Sequence, residues 1–334
     1  MTDADAPAPD LDPAPDPAPS LTVIVPMRNA RGYVGDTLRS VLAETVHPLE
    51  VVVIDDGSTD GSAAEVAALN DPRVRLIPGP QHGIAAAVNA GLAAARGGVV
   101  IRCDADDLLV PGRIGVQLGL LDDRPDAVAV CGGYETIDAR GRPIAVLPTG
   151  DMPADIEGEL RAGTTRTHLG TFAIRRAALE TLGGARDHFV GTEDIDLQLR
   201  LGCLGVVLYV PGPVYRYRLH DASSTHTQPS PQREFLTAQA RRFVRQRVAT
   251  GADDLDRGVA EAPPADRAGD RAMSAREQAC SMQIGRAWRL RRDGHRLQAV
   301  AAMTRVLAAN PLRPAVWKQW VWMLVKAPLP GDGW

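Results

Sequence analysis

The stretch GVVIRCDADDLLVPGR, residues 98–113, decides the fold. Val99, Val100 and Ile101 form an unbroken β-branched run of the kind found in strands covered on both faces. Directly after it come three carboxylates within four residues, Asp104, Asp106 and Asp107. Like charges held that close at the end of a buried strand repel unless water or a cation absorbs the field. The stretch therefore predicts a strand of an α/β sheet whose carboxyl end meets something positive that the sequence does not itself supply.

Working outward, the same grammar repeats. Strands are expected at LTVIVPM (21–27), EVVVIDD (50–56) and VRLIPG (74–79), and further on at 127–134, 172–176, 205–211 and 214–220. Amphipathic stretches between them predict helices at 31–45, 60–69, 83–96, 110–122 and 193–204. Apolar strands alternating with helices give an α/β fold with a mostly parallel central sheet covered on both faces. Residues 1–20 alternate Pro and Ala and carry five Asp, a composition that cannot bury enough surface to order itself, so an acidic disordered tail is expected there. Residues 21–225 form the predicted catalytic domain. After it, 226–334 read as a helical extension with an Asp/Gly/Pro-rich linker near 251–270.

The 334 residues are 45% hydrophobic, enough for a sizeable core, and the formal net charge of -4 argues against nucleic acid as a partner. Cys103, Cys131, Cys203 and Cys280 are scattered, without zinc spacing, which fits reduced thiols. No basic segment followed by an apolar run opens the chain, and nowhere do about 18 apolar residues run uninterrupted. A cytoplasmic protein is expected, with peripheral contact at the inner face of a membrane as one reading of its C-terminal end.

In an open α/β sheet, ligands bind beyond the carboxyl ends of the strands. Three polar clusters stand there: Arg28 and Asn29 after VIVPM, Asp55 and Asp56 in VVVIDDGSTD, and the Asp104–Asp107 group. Together they suit a ligand with hydrogen-bond donors at one end and a metal-bridged phosphate at the other, since Mg²⁺ or Mn²⁺ takes one or two protein carboxylates and completes its shell with phosphate and water. Taken singly, DDGSTDG also reads as a turn in which Ser58 or Thr59 caps the next helix. A calcium loop is disfavoured, because Ala67 stands where a bidentate Glu is required. In GTEDIDLQLRLGCLG, 191–205, the carboxylates Glu193, Asp194 and Asp196 open a helix, where its dipole favours them; the functional alternative is that one is a general base. His220 stands just past a predicted strand, either structural or facing a phosphate or metal.

The ordered series VIVPMRN, VVVIDDGSTDGS, HGIAAAVNAGLAAARGGVVIRCDADD, GTFAIRR, GTEDIDLQLRL and YRYRLH resembles the family 2 glycosyltransferases, from about Leu21 to Thr225. The resemblance implies a nucleotide-binding GT-A fold and inverting transfer of a sugar from a nucleotide diphosphate donor, often UDP-linked, to a hydroxyl acceptor. It also implies roles. Pro26, Arg28 and Asn29 would line the nucleotide pocket, Asp55 and Asp56 would hold base and ribose, and Asp104 with Asp106 would be the DxD pair, the second on Mn²⁺ or Mg²⁺. Asp194 would be the catalytic base with Glu193 orienting the acceptor, and His220 would help bind metal or diphosphate. Many members carry Arg just before the Asn of the helix preceding the DxD strand, where this chain has Val88 before Asn89. The acceptor, whether saccharide, lipid-linked or protein, does not follow from the resemblance. A nucleotidyltransferase is the rival enzyme class, although PMRNARG lacks a glycine-rich phosphate loop; a non-catalytic nucleotide-binding module is the other alternative.

All five Trp residues lie in the last 47 positions, and between 280 and 326 nine basic residues face the single acid Asp293. This mixture suits a helix held at an anionic membrane surface. The stronger reading is a stripe of Trp317, Trp320, Val321 and Leu324, which more often packs on a neighbouring helix, and the segment loosely resembles one tetratricopeptide-type hairpin.

Overall fold

The structure, a computed structural model, describes residues 19–45, 48–147, 153–221, 230–264, 274–292 and 294–325. The Pro/Ala tail expected at the start lies outside them up to residue 18.

Strands β1 (Leu21–Met27), β2 (Leu49–Asp55), β3 (Val74–Pro78) and β4 (Val99–Arg102) are joined by helices α1 (Val34–Leu42), α2 (Ser62–Ala67) and α3 (Ile84–Ala94). β1 pairs in parallel with β2 on one side and β4 on the other, and β2 pairs in parallel with β3. Each of these crossovers returns to the same sheet, so all four strands present their carboxyl ends along one edge. β1 is buried at every position, which is why its sequence is apolar without alternation.

The second half completes the sheet with β5 (Leu108–Leu109), α4 (Arg113–Asp123), β6 (Ala127–Asp138), β7 (Pro143–Leu147), β8 (Ala154–Asp155), α5 (Glu157–Arg161), β9 (Ala173–Arg175), α6 (Arg176–Leu182), α7 (Glu193–Leu204) and β10 (Val206–Leu219). The described residues form a ten-stranded sheet in the order β3-β2-β1-β4-β9-β6-β10-β5, with β7 beside β6 and β8 beside β10. β9 is antiparallel to both β4 and β6 and so links the two parallel halves. The two strands expected at 205–211 and 214–220 are one. Pro211, Gly212 and Pro213 interrupt the register without ending the pairing with β6, and Gly212, at φ 93°, sits in the left-handed region that such a bulge requires.

Two apolar cores lie on opposite faces of the sheet. One gathers β1, α1 and α4 side chains such as Val25, Leu38, Ile114 and Leu118. The other places Phe172, Phe189, Leu197 and Leu201 against α8 (Ser230–Thr250) through Leu236, Ala240 and Phe243. α8 is therefore part of the catalytic core's packing. The described part of the segment expected as a linker, residues 251–264, folds back on it. Asp253 there is fully buried and bonded to Arg186 and Arg247, and Glu261 accepts through its backbone carbonyl from Gln239. Its Asp and Gly content serves a tight turn with Gly251 and Gly258 at positive φ rather than a free tether.

The last three helices, α9 (Ala275–Arg292), α10 (Arg296–Ala309) and α11 (Pro314–Val325), enclose a core of their own around Ala287, Met303, Val306, Val316 and Met323, and α9 leans on β7 and β10. The packed face of α11 differs from the expected stripe: Val316, Trp320 and Met323 point inward, whereas Trp317, Val321 and Leu324 are exposed. Among the described residues no helix is long and apolar enough to cross a membrane.

Candidate active site

The carboxyl ends of β1, β2 and β4 converge as anticipated, and the details are set by short hydrogen bonds. Asn29, at φ 53°, uses its side-chain oxygen to accept from Thr59 N (2.8 Å), while its own N–H donates to Ser58 Oγ (3.0 Å), so the loops after β1 and β2 are laced together. Asp55 Oδ1 accepts from Ser58 N at 2.8 Å. The N-cap of α2 is neither Ser58 nor Thr59 but Gly61, at φ 95°, and Asp60 before it accepts from Ser62 N through Oδ1. Asp56 is buried, and its two oxygens accept from Gln81 N (2.6 Å) and Gly83 N (3.2 Å), so this carboxylate shapes the loop entering α3. Pro26 is buried in the sheet opposite Ile54, and Arg28 is exposed at the rim.

The three clustered carboxylates meet partners of three different kinds within the chain. Asp104 pairs with Arg102 at 2.7 Å, and the same guanidinium reaches Glu193 Oε1 at 3.0 Å. Burial works against the Arg102 cation, yet Asp104 and Glu193 outweigh it and hold its pKa well above the ordinary value. For Asp104 burial is likewise outweighed, by Arg102, and its pKa falls; Glu193 is so enclosed that burial raises its pKa despite Arg102. Asp107 is a structural acid. It has no exposed surface, accepts from Tyr215 Oη and from Arg218 N (each 2.7 Å), and is pushed well up by burial and by Asp106 and Asp104. The expectation of a missing positive partner therefore narrows to Asp106.

Asp106 Oδ2 lies 2.8 Å from His220 Nε2. His220 stacks on Tyr33 of the β1–α1 loop (ring centroids 4.7 Å apart), and Thr37 Oγ1 donates to Ala105 O at 2.9 Å, so this end of the DADD loop is fixed against the nucleotide-side loops. Two donors bound side by side to one octahedral cation at about 2.1 Å each lie about 3 Å apart. The Asp106–His220 pair, a hydrogen bond as it stands, therefore has the spacing and the chemistry to hold Mn²⁺ or Mg²⁺, leaving the remaining positions for phosphate oxygens and water.

Asp194 is half-buried in the first turn of α7, next to Glu193, and its charge acts on Arg102, His168 and Tyr134. His168, before β9, is a residue that the sequence did not flag. Its Nδ1 accepts from Gly170 N at 3.1 Å, which in the neutral ring leaves the proton on Nε2. Burial lowers its pKa against the pull of Asp104 and Asp194. With Tyr134, Tyr215 and Tyr217 it forms an aromatic wall beside the Asp194 carboxylate. Arg102 was also missed, although a lone charge within an apolar strand is a sequence signal in itself, because a buried guanidinium must be paired.

Val88 packs with Ile84, Ala85 and Ala185, and the neighbouring Asn89 makes a reciprocal amide pair with the backbone of Ala185, 2.8 Å each way. Here α3 braces the loop that leads to α7 instead of offering a cation.

Comparison with known proteins agrees with this arrangement. The model of glycosyl transferase family 2 matches residues 22–183. The succinoglycan biosynthesis protein ExoO of Rhizobium meliloti is 30% identical over 246 residues, covering 70% of each chain. The chain belongs to glycosyl transferase family 2. This glycosyltransferase is also 28% identical over 235 residues to the chondroitin synthase of Pasteurella multocida, covering 69% of this chain and 24% of that protein. The chain spans 34% of another relative, an uncharacterized glycosyltransferase of Rickettsia felis, so several relatives are much longer proteins. The crystal structure of S. aureus TarS 1–349 in complex with UDP-GlcNAc superposes with a TM-score of 0.58 at 15% identity, covering 91% of this chain and 79% of that one. That likeness is one of fold, and the fold is the GT-A arrangement that the motifs implied.

Proposed function

We propose that this glycosyltransferase moves a sugar from a nucleotide diphosphate donor, a UDP-sugar, to a hydroxyl of a saccharide, lipid-linked or protein acceptor in polysaccharide assembly, with inversion and with Mn²⁺ or Mg²⁺. The observation that carries the reading is Arg102, which ties Asp104 on the donor side to Glu193 beside Asp194. One guanidinium thereby links the residue assigned to the donor end with the residues assigned to the acceptor end, which supports reading them as parts of one site. The crystallisation of TarS with UDP-GlcNAc and with UDP supports the donor class, and the similarity to a succinoglycan biosynthesis protein and a chondroitin synthase supports polysaccharide assembly.

In this reading Asp55 and Asn29 face the base and ribose, and Asp56 keeps the 81–83 loop in position beside them. Asp106 and His220 would hold the cation, which would supply positive charge against the negative charge that builds on the departing diphosphate. Asp194 accepts the proton of the acceptor hydroxyl as its oxygen attacks the anomeric carbon. Leaving group and nucleophile occupy opposite faces of the sugar, so an α-linked donor yields a β-linked product. Glu193 has one oxygen on Arg102 and a second, buried and without a hydrogen-bond partner, that suits an acceptor hydroxyl.

A thermal-shift screen of nucleotide sugars with and without Mn²⁺ tests the proposal, since a ligand bound only by the folded state raises its melting temperature. A UDP-sugar that stabilises only with the metal, and is then turned over with acceptor, is expected. Stabilisation by nucleoside triphosphates but by no nucleotide sugar would favour nucleotidyl transfer instead.

A further inference from the structure

α11 has the sequence PAVWKQWVWMLV, in which only Lys318 and Gln319 are polar. A helix apolar all round belongs in a core or in lipid. Here one face is covered by α9 and α10, and the opposite face is open: Trp317 is 48% exposed, Val321 46% and Val325 74%. The ridge extends beyond the helix at both ends. Trp317 Nε1 donates to Pro311 O, which sets its ring beside Leu312, 94% exposed. At the other end Arg296 donates to Leu324 O, and Leu297, next to it in the chain, is 86% exposed. Around the ridge the charge is positive. Lys318 lies over the Trp322 ring, 4.6 Å from its centroid, and Arg296 is exposed at the C-terminal end.

We propose that this ridge is the surface by which the enzyme lies on an anionic lipid bilayer, Trp317 at headgroup level and Val321, Leu324 and Val325 in the acyl boundary, with Lys318 and Arg296 against lipid phosphates. The helix has 12 residues. At about 1.5 Å rise per residue it reaches roughly 18 Å, short of the roughly 30 Å hydrocarbon core, so it rests in the interface plane and does not span. Charge favours lipid over a second copy of the chain, because a two-fold contact through this face would set Lys318 and Arg296 against their own counterparts. The inference is independent of the donor sugar and of the catalytic assignments.

Flotation of the full chain with phosphatidylcholine vesicles, with and without phosphatidylglycerol, tests it. Binding to the anionic vesicles only, weakened by salt, is expected. Trp317→Gln, Val321→Gln and Leu324→Gln together should lower partitioning on the order of tenfold or more. Turnover of a soluble acceptor should stay unchanged, because none of the three belongs to the candidate active site, and the melting temperature should fall by a few degrees at most, for the lost Trp317 bond to Pro311 O and its contact with Trp320. Lys318→Glu should weaken binding to anionic vesicles without touching the apolar ridge. Failure of the wild-type chain to float, or equal flotation of the triple variant, overturns the proposal. So does a dimer in sedimentation that the triple variant converts to monomer while vesicle binding stays absent.

Discussion

Arg102→Met removes the guanidinium that joins Asp104 to Glu193 while keeping an unbranched apolar stem. The contacts are 2.7 and 3.0 Å, with Arg102 and Glu193 largely enclosed. At about 3 Å and an effective dielectric near 20, each attraction is roughly 5 kcal/mol gross, most of it offset by desolvation in the intact site. Truncating one partner leaves the other two charges enclosed without compensation, a net loss of about 3–5 kcal/mol. For a chain of this size that is a fall in Tm of roughly 4–7 °C. Activity should fall further than stability, because Glu193 and Asp194 are consecutive residues of one turn and a displacement of about 1 Å costs on the order of a hundredfold in rate.

The pH dependence makes the reasoning specific. Burial raises the folded pKa of Glu193 even with Arg102 present, and its loss raises it further. A carboxyl whose folded pKa exceeds its unfolded value contributes its stability below the unfolded pKa and loses it as pH rises through the folded one. The stability deficit of Arg102→Met relative to wild type should therefore widen between about pH 4 and neutrality. Differential scanning calorimetry across that range, with turnover measured at one pH, reads both quantities, and Arg102→Lys should recover part of each because charge returns without the fork. A deficit independent of pH, or a variant that melts and turns over like wild type, would refute the bridging role.

Asp194→Asn should keep its melting temperature and donor binding while turnover drops about two to four orders of magnitude, measured by nucleoside diphosphate release. Asp106→Asn combined with His220→Ala should abolish the Mn²⁺-dependent part of donor stabilisation, about 2.7 kcal/mol at ligand one hundredfold above Kd, as read by thermal shift. Glu50→Gln should flatten the acid limb of the stability curve. Burial opposes the Glu50 carboxylate, but Arg96, Thr22 and Arg75 together lower its pKa, so its contribution is present above the unfolded pKa and lost as pH falls through the folded one. Asp253→Asn should cost about 3 kcal/mol by urea denaturation, since it strips Arg186 and Arg247 of a fully buried partner.

What could be read from the sequence follows the range of the interactions involved. β1, β2 and β4 were legible because each is buried on both faces and writes that burial as a continuous apolar run. α7 was legible to its bounds, with acids in its first turn. The two-residue strands β5 and β8 carry no periodicity at all, and β7 reads PIAVL, too short to distinguish from a loop. The division of β10 in two came from reading Pro-Gly-Pro as a break, where pairing with β6 carries the strand across it. The same limit separates Asp106 from His168. The first stands in a motif with its neighbours; the second takes its place only from rings contributed by β6 and β10, far away in sequence.

The DADD cluster shows how a site can crowd acids and still fold. Asp107 is held by Tyr215 and the Arg218 backbone, and Asp104 shares Arg102 with Glu193, so both carboxylates are bound to partners within the chain. Only Asp106 faces a partner, His220, that can exchange a proton for a metal ion. Val88, packed against Ala185, removes α3 as a source of positive charge for a diphosphate. In the proposed reading, compensation for a diphosphate would come at Asp106 and His220, from the Arg218 guanidinium that donates to Asp106 O, or from the rim residue Arg28, and removal of the metal would be expected to cost more donor binding than in an enzyme with an arginine at position 88. Val88→Arg is no remedy, because it would place a guanidinium in the small apolar cluster that braces α7, and an unpaired buried cation costs more than it could return to the donor.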